Sequence, residues 1–155
     1  MVDGLDLAGK PMGAALAGLH MPDDPIGRLW HAASILREYR GDCHIAVLTT
    51  AGLDGAAANA LAVAVGLTPS AVKESRGWTD QEWEAALDRL RLRDWVDAEG
   101  QPTATGRAAR ARLEDATDRT ASAGIDREAT ARTITVAPRL AAIAHAVREA
   151  GLVPS

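Results

Sequence analysis

Aromatic side chains are scarce in this chain: it has no Phe, one Tyr and four Trp. β-Branched residues are also few, so a sandwich or barrel, which draws on both groups, is disfavoured. A single cysteine excludes an internal disulfide framework and fits a reducing compartment. The uninterrupted apolar runs fall well short of the roughly 20 residues that cross a bilayer. The first ten residues carry Asp3 and Asp6 before the first lysine, Lys10, which is unlike a secretory signal. A cytoplasmic protein with no membrane partner is expected. An excess of positive charge is missing too: Lys and Arg total 17 against 21 Asp and Glu, a net charge of −4. A dedicated nucleic-acid binder usually shows a basic balance or a basic face, so DNA binding is expected to be weak.

Alanine is what the chain has in abundance, at about a fifth of all residues. It is the strongest helix former, and its small side chain lets helices approach closely. A length of 155 residues suits a compact, mainly helical domain that folds without staples.

Residues 1–22 hold four Gly and two Pro with little periodicity, and read as an N-terminal arm with a short helix near Ala14–Leu19. Asp23-Asp24-Pro25 is a helix start, with an Asp cap and Pro in the first turn. Ile26, Leu29, Trp30, Ala33 and Leu36 then recur at helical spacing to about Tyr39. Gly41 and Asp42 predict a break, followed by a second helix from Cys43 to Ala51. Asp54 is placed to cap a third, apolar helix over Ala56 to Val65, and a turn of helix is expected at Pro69–Ser75.

Thr79-Asp80-Gln81-Glu82 is a capping box. It opens a helix striped by Trp83, Ala86, Leu87 and Leu90 and ending near Asp94. Trp95 to Thr103 reads as a short hairpin turning at Glu99-Gly100. A polar helix over Ala104–Ala121, a linker from Ser122 to Asp126 and a last helix interrupted near Pro138 complete the chain. The domain expected from this organisation spans 23–121, with 122–155 packing on it or on a dimer partner.

Helix, turn, helix, short hairpin, helix is the order of a winged helix-turn-helix. The stretch EWEAALDRLRLRDWVDAEGQPTATGRAARARLE resembles the MarR-type segment in which the recognition helix ends in R-L-x-x-x-x-W/L-V. There a wing follows, and Thr-x-x-Gly-Arg opens the next helix. The tracts LWHAASILREYRGDCHIAVLTTAGLDG and SRGWTDQEWEAALDRL are similar to those of predicted helix-turn-helix proteins common in actinobacteria. In the longer members of that group the unit forms the second half of the chain, so a stand-alone version or a fragment is expected here. The resemblance covers roughly residues 26–115 and implies a mainly α fold with a short β-wing. It also implies a homodimer and an aromatic or phenolic ligand bound between the helices. The Leu140, Ile143 and Val147 stripe, with the first helix, is the expected two-fold interface.

Two constellations carry the candidate chemistry. The first gathers Trp30, His31, Arg37, Arg40, Asp42 and His44 around the expected Gly41 break, with Trp78 as a second aromatic wall. Here Arg would meet an anionic group, His would hydrogen-bond or transfer a proton, and Trp would stack. A plainer reading of the same residues is that Arg40 pairs with a carboxylate to fasten the helix corner. The second is a set of cations near the candidate recognition helix: Lys73, Arg76, Arg89, Arg91 and Arg93. They would contact phosphate, although Glu84 and Asp88 on the same helix, and Asp97 and Glu99 in the wing, would repel it.

His20, His31, His44, His145 and Cys43 show no metal-ligand spacing, so neither a metal nor a cofactor is expected. Cys43 is expected as a small buried residue, and Trp78, Trp83 and Trp95 as core. The first functional reading is a regulator or sequestering protein that binds a small aromatic or anionic ligand. The alternatives are an enzyme of secondary metabolism using Arg40, Asp42 and His44 as acid–base groups, and a DNA-binding repressor.

Overall fold

A computed structural model describes residues 2–151, apart from the side chain of residue 129. Seven helices are found among the described residues: α1 (Pro11–Ala17), α2 (Pro25–Thr50), α3 (Gly55–Ala64), α4 (Val72–Ser75), α5 (Asp80–Arg91), α6 (Ala104–Ala123) and α7 (Arg127–Glu149). None of them alone is long and apolar enough to cross a membrane. The chain divides into two compact units, residues 1–39 with 121–155, and residues 40–120; α2 and α6 contribute to both.

The first unit is organised on Tyr39. Its ring is 1% exposed, its hydroxyl donates to Ala121 O at 2.8 Å, and Lys10 Nζ lies 5.2 Å from its centroid. Asp6 N–H donates to Gly124 O at 2.8 Å, and Leu5 bridges Ile125, tying the N-terminal arm down. In α7, Leu140 and Val147 are half-buried and Ile143 is 50% exposed.

The second unit has the larger apolar core. Leu53, Ala56, Ala57, Ala60 and Leu61 meet Ala86, Leu90, Val96 and Leu113. Leu61 and Leu90 are both fully enclosed, and burial of such a side chain is worth about 1.5–3 kcal/mol over leaving it in water. The alanines of α3 set the close approach to α5. Cys43 is buried, and Trp78, Trp83 and Trp95 pack against the cluster, as their apolar spacing predicts.

Local signals hold at two helix starts. Asp54 accepts from Ala57 N–H at 2.9 Å to cap α3. In the Thr79 box, Thr79 N–H donates to Glu82 Oε2 at 2.9 Å and Glu82 N–H to Thr79 Oγ1 at 3.2 Å. Gly106 marks a close approach: a Cβ there would lie 1.9 Å from Trp95 O, so only glycine lets α6 begin against the end of the preceding turn.

Three expectations are corrected. The break at Gly41-Asp42 does not occur: α2 runs through it for 26 residues. A helix-interior glycine costs about 1 kcal/mol relative to Ala, but Tyr39, Asp42 and Cys43 are all buried around it, and their packing outweighs that cost. The wing forms no strand among the described residues. One Val96–Pro102 bridge, flanked by Asp97 N–H to Gln101 O and Thr103 N–H to Trp95 O, closes a turn in which Asp97 Oδ1 accepts from Glu99 N–H and Gln101 N–H; the pairing goes no further because Asp94 takes a left-handed φ of 56° and Ala104 already opens α6. Finally, α7 continues through Pro138, whose surroundings on the helix are exposed, so water can serve the carbonyl that the missing N–H leaves unpaired.

Candidate functional site

Residues 40–120 form a partly open cavity of about 560 Å3 between the C-terminal part of α2, α3, α6 and the segment leading into α5. Leu48, Leu61 and Leu113 give it an apolar wall, Trp78 an aromatic one, and Asn59 and Thr68 neutral polar groups. Its ionisable lining residues are His44, Arg76 and Arg110, with no carboxylate among them.

Helix α2 contributes His44, and helix α6 braces it. Thr117, wholly buried, places Oγ1 2.9 Å from His44 Nδ1. Glu114 Oε1 stands 3.9 Å from the same nitrogen. Burial is the main influence on the ring and holds His44 below its ordinary value; Glu114 opposes this, and Arg110 and Arg40 add to it. Glu114 takes Arg40 at 2.7 Å and Arg110 at 2.5 Å. Burial pushes its carboxyl up, but the two guanidinium hydrogen bonds outweigh that and leave it below its usual range. Arg40 also reaches Asp118 at 2.9 Å.

Trp78 has a second neighbourhood. Its ring also lines a smaller pocket with Asp54, Ala56, Glu82, Ala85 and Arg89, on the α5 side. Its Nε1–H is covered by protein and has no acceptor among the described residues.

Of the seven expected ligand residues, His44 and Trp78 line the cavity. Arg40 stands one helical turn from His44 and is occupied with Glu114 and Asp118. Asp42 is buried, and on a continuous helix it does not face either Arg40 or His44, two residues away on each side. The acid–base trio is therefore not assembled. Trp30, His31 and Arg37 belong to the other unit. Trp30 is 76% exposed, Arg37 pairs with Glu38, and His31 Nε2 is shielded with no partner among the described residues.

The five expected phosphate-contacting cations separate differently. Lys73 pairs with Asp80, Arg89 with Asp54 at 2.6 Å, and Arg91 with both Glu84 at 2.6 Å and Asp88 at 2.8 Å. Arg93 donates to Ala51 O and Gly52 O, and stacks over Trp95 at 5.2 Å. The fifth, Arg76, lines the cavity. Sequence reasoning missed Arg110, Glu114 and Thr117. The Arg110–Glu114 spacing of four residues was a signal, but on a polar helix it reads as an ordinary surface pair.

A model of a helix-turn-helix family matches residues 1–154. No curated protein and no solved structure matches the chain.

Proposed function

We propose, from the premise that the chain belongs to this helix-turn-helix family, that it is a regulator governed by a small anionic, aromatic ligand held in the α2–α3–α6 cavity. One observation carries the reading: in a chain of net charge −4, the cavity lining presents Arg76, Arg110 and His44 and no carboxylate. Apolar walls with a few convergent polar groups are the usual make-up of a small-molecule site, and the volume falls within the ~300–1,000 Å3 such sites occupy. A guanidinium matches the planar fork of a carboxylate, and Trp78 offers a flat apolar partner. Trp78 also precedes the Thr79 cap of α5, so a ligand against Arg76 or Trp78 acts on the segment that sets where α5 begins. In the MarR-like form of this proposal, the turn at 95–103 takes the place of the wing.

The test is calorimetric titration with 2-naphthoate at low salt. Saturable binding at one site per chain, weakened by Arg110→Gln and by Arg76→Gln, supports the reading; no binding at millimolar probe sinks it.

A second reading, direct DNA binding by α5, draws on family membership. The ion pairs that tie up Lys73, Arg89 and Arg91 weigh against it. Fluorescence anisotropy with duplex DNA decides it, since a phosphate-contacting protein holds DNA best at low salt; failure to retain DNA at ~50 mM salt rules it out.

A further inference from the structure

His44 is held in one tautomer by its surroundings. Thr117 Oγ1 lies 2.8 Å from Leu113 O as well as 2.9 Å from His44 Nδ1. Two oxygens that close repel unless a proton lies between them, so the hydroxyl donates to the Leu113 carbonyl, the usual bond of a helical Thr to the residue four back. Having spent its one hydrogen there, Oγ1 can only accept from Nδ1. The neutral ring therefore carries its proton on Nδ1 and keeps the lone pair on Nε2. Among the described residues Nε2 has no hydrogen-bond partner, and the ring lines the cavity.

The groups around the ring are accounted for on each side. Glu114 and Arg110 face it from α6, Arg40 from its own helix, Asn59 lines the cavity from α3, and Arg76 lines it from the segment before α5. Burial dominates, with Glu114 opposing, and the ring stays neutral at pH 7.

Resting on the ligand reading above, we infer that the cavity selects ligands bearing both an anionic group and a hydroxyl. Arg76 and Arg110 hold the anion, and His44 Nε2 accepts the hydroxyl hydrogen. The class is thus narrower than aromatic anions at large: hydroxylated aromatic acids are preferred over their unsubstituted parents. His44 is the specificity-determining residue, and Thr117 is the positioning residue that keeps its accepting nitrogen available.

Two probes separate this from the broader reading: 2-naphthoate and 6-hydroxy-2-naphthoate, titrated calorimetrically against the full chain near pH 7.5. The hydroxylated probe is expected to bind about tenfold more tightly, the worth of one well-made hydrogen bond. His44→Phe, which keeps a ring but removes the acceptor, brings the ratio of the two affinities toward one. If that variant fails to fold, the wild-type protein decides the matter with a third probe, 6-methoxy-2-naphthoate, which keeps the oxygen but has no hydrogen to give. It is expected to bind no more tightly than 2-naphthoate. Equal affinities of the hydroxylated and unsubstituted probes in the wild type, a preference that survives His44→Phe, or a methoxy probe that matches the hydroxylated one, overturn the inference while leaving the anion site standing. If neither probe binds, the ligand reading itself falls, and the inference with it.

Discussion

The arginines of α5 and those of the cavity are the same side chain in opposite circumstances. On α5, Arg91 is shared by two carboxylates and Arg89 is bound to Asp54. At the cavity, Glu114 serves both Arg110 and Arg40, Asp118 takes Arg40 as well, and Arg76 adds a further charge to the lining. Positive charge is cancelled along α5, whereas the cavity lining keeps that of Arg76 beside the paired Arg110 and has no carboxylate of its own. In a chain with more acids than bases, where the cations remain uncompensated says more about a partner than their number does.

The largest expected effect comes from breaking the framework common to both regions. Leu61 is fully buried and belongs both to the core under α5 and to the cavity wall. Leu61→Ala is expected to lower unfolding free energy by about 2–5 kcal/mol, measured by urea denaturation; a loss well under that range would show the wall relaxes into the cavity.

A smaller effect sharpens the contrast on the α5 side. Glu84→Gln with Asp88→Asn releases Arg91, leaving the fold intact and making one more cation available to phosphate. Non-specific duplex affinity at low salt should rise, with the slope of log K on log salt steeper by about 0.9. An unchanged slope would mean that this face does not meet DNA even when its charge is freed.

The smallest effect is one of pH. His44 has a lowered folded pKa, so the unfolded chain takes up a proton more readily. Stability is therefore full above the unfolded value of about 6.5 and declines as pH falls through the lowered folded value. Glu114, also lowered, adds its own loss at more acid pH, below the ordinary carboxylate range. Urea midpoints across this range should fall with acid. A flatter profile in His44→Gln above pH ~5 would assign the first part of the decline to His44, and an unchanged profile would remove His44 from it.

What was legible in the sequence was what is settled within a few residues. The Thr79–Glu82 box and the Asp54 cap are contacts between near neighbours, and both form. Gly41 misled because its local preference was outweighed by burial of Tyr39 and Cys43 against distant parts of the chain. The Glu99-Gly100 turn was visible, but a strand needs a partner ladder, and here the pairing is held to a single bridge by the left-handed backbone of Asp94 on one side and the start of α6 at Ala104 on the other. At the site, His44 and Trp78 were marked by residue type. Arg76 was assigned to phosphate because it lies just before the candidate recognition helix, while the fold places it in the cavity lining. Arg110 carried no mark of its own, since its meaning comes from α6 lying beside α2.

Trp78 stands between two pockets, with the cationic cavity on one side and Asp54, Glu82 and Arg89 on the other. Seen optically, that makes its indole a chromophore flanked by groups of opposite electrostatic character, with an N–H that has no acceptor among the described residues. Its emission will shift with the field on either side. Among its four tryptophans the protein therefore contains one whose share of the emission responds to events at the cavity and at the start of α5, without a label.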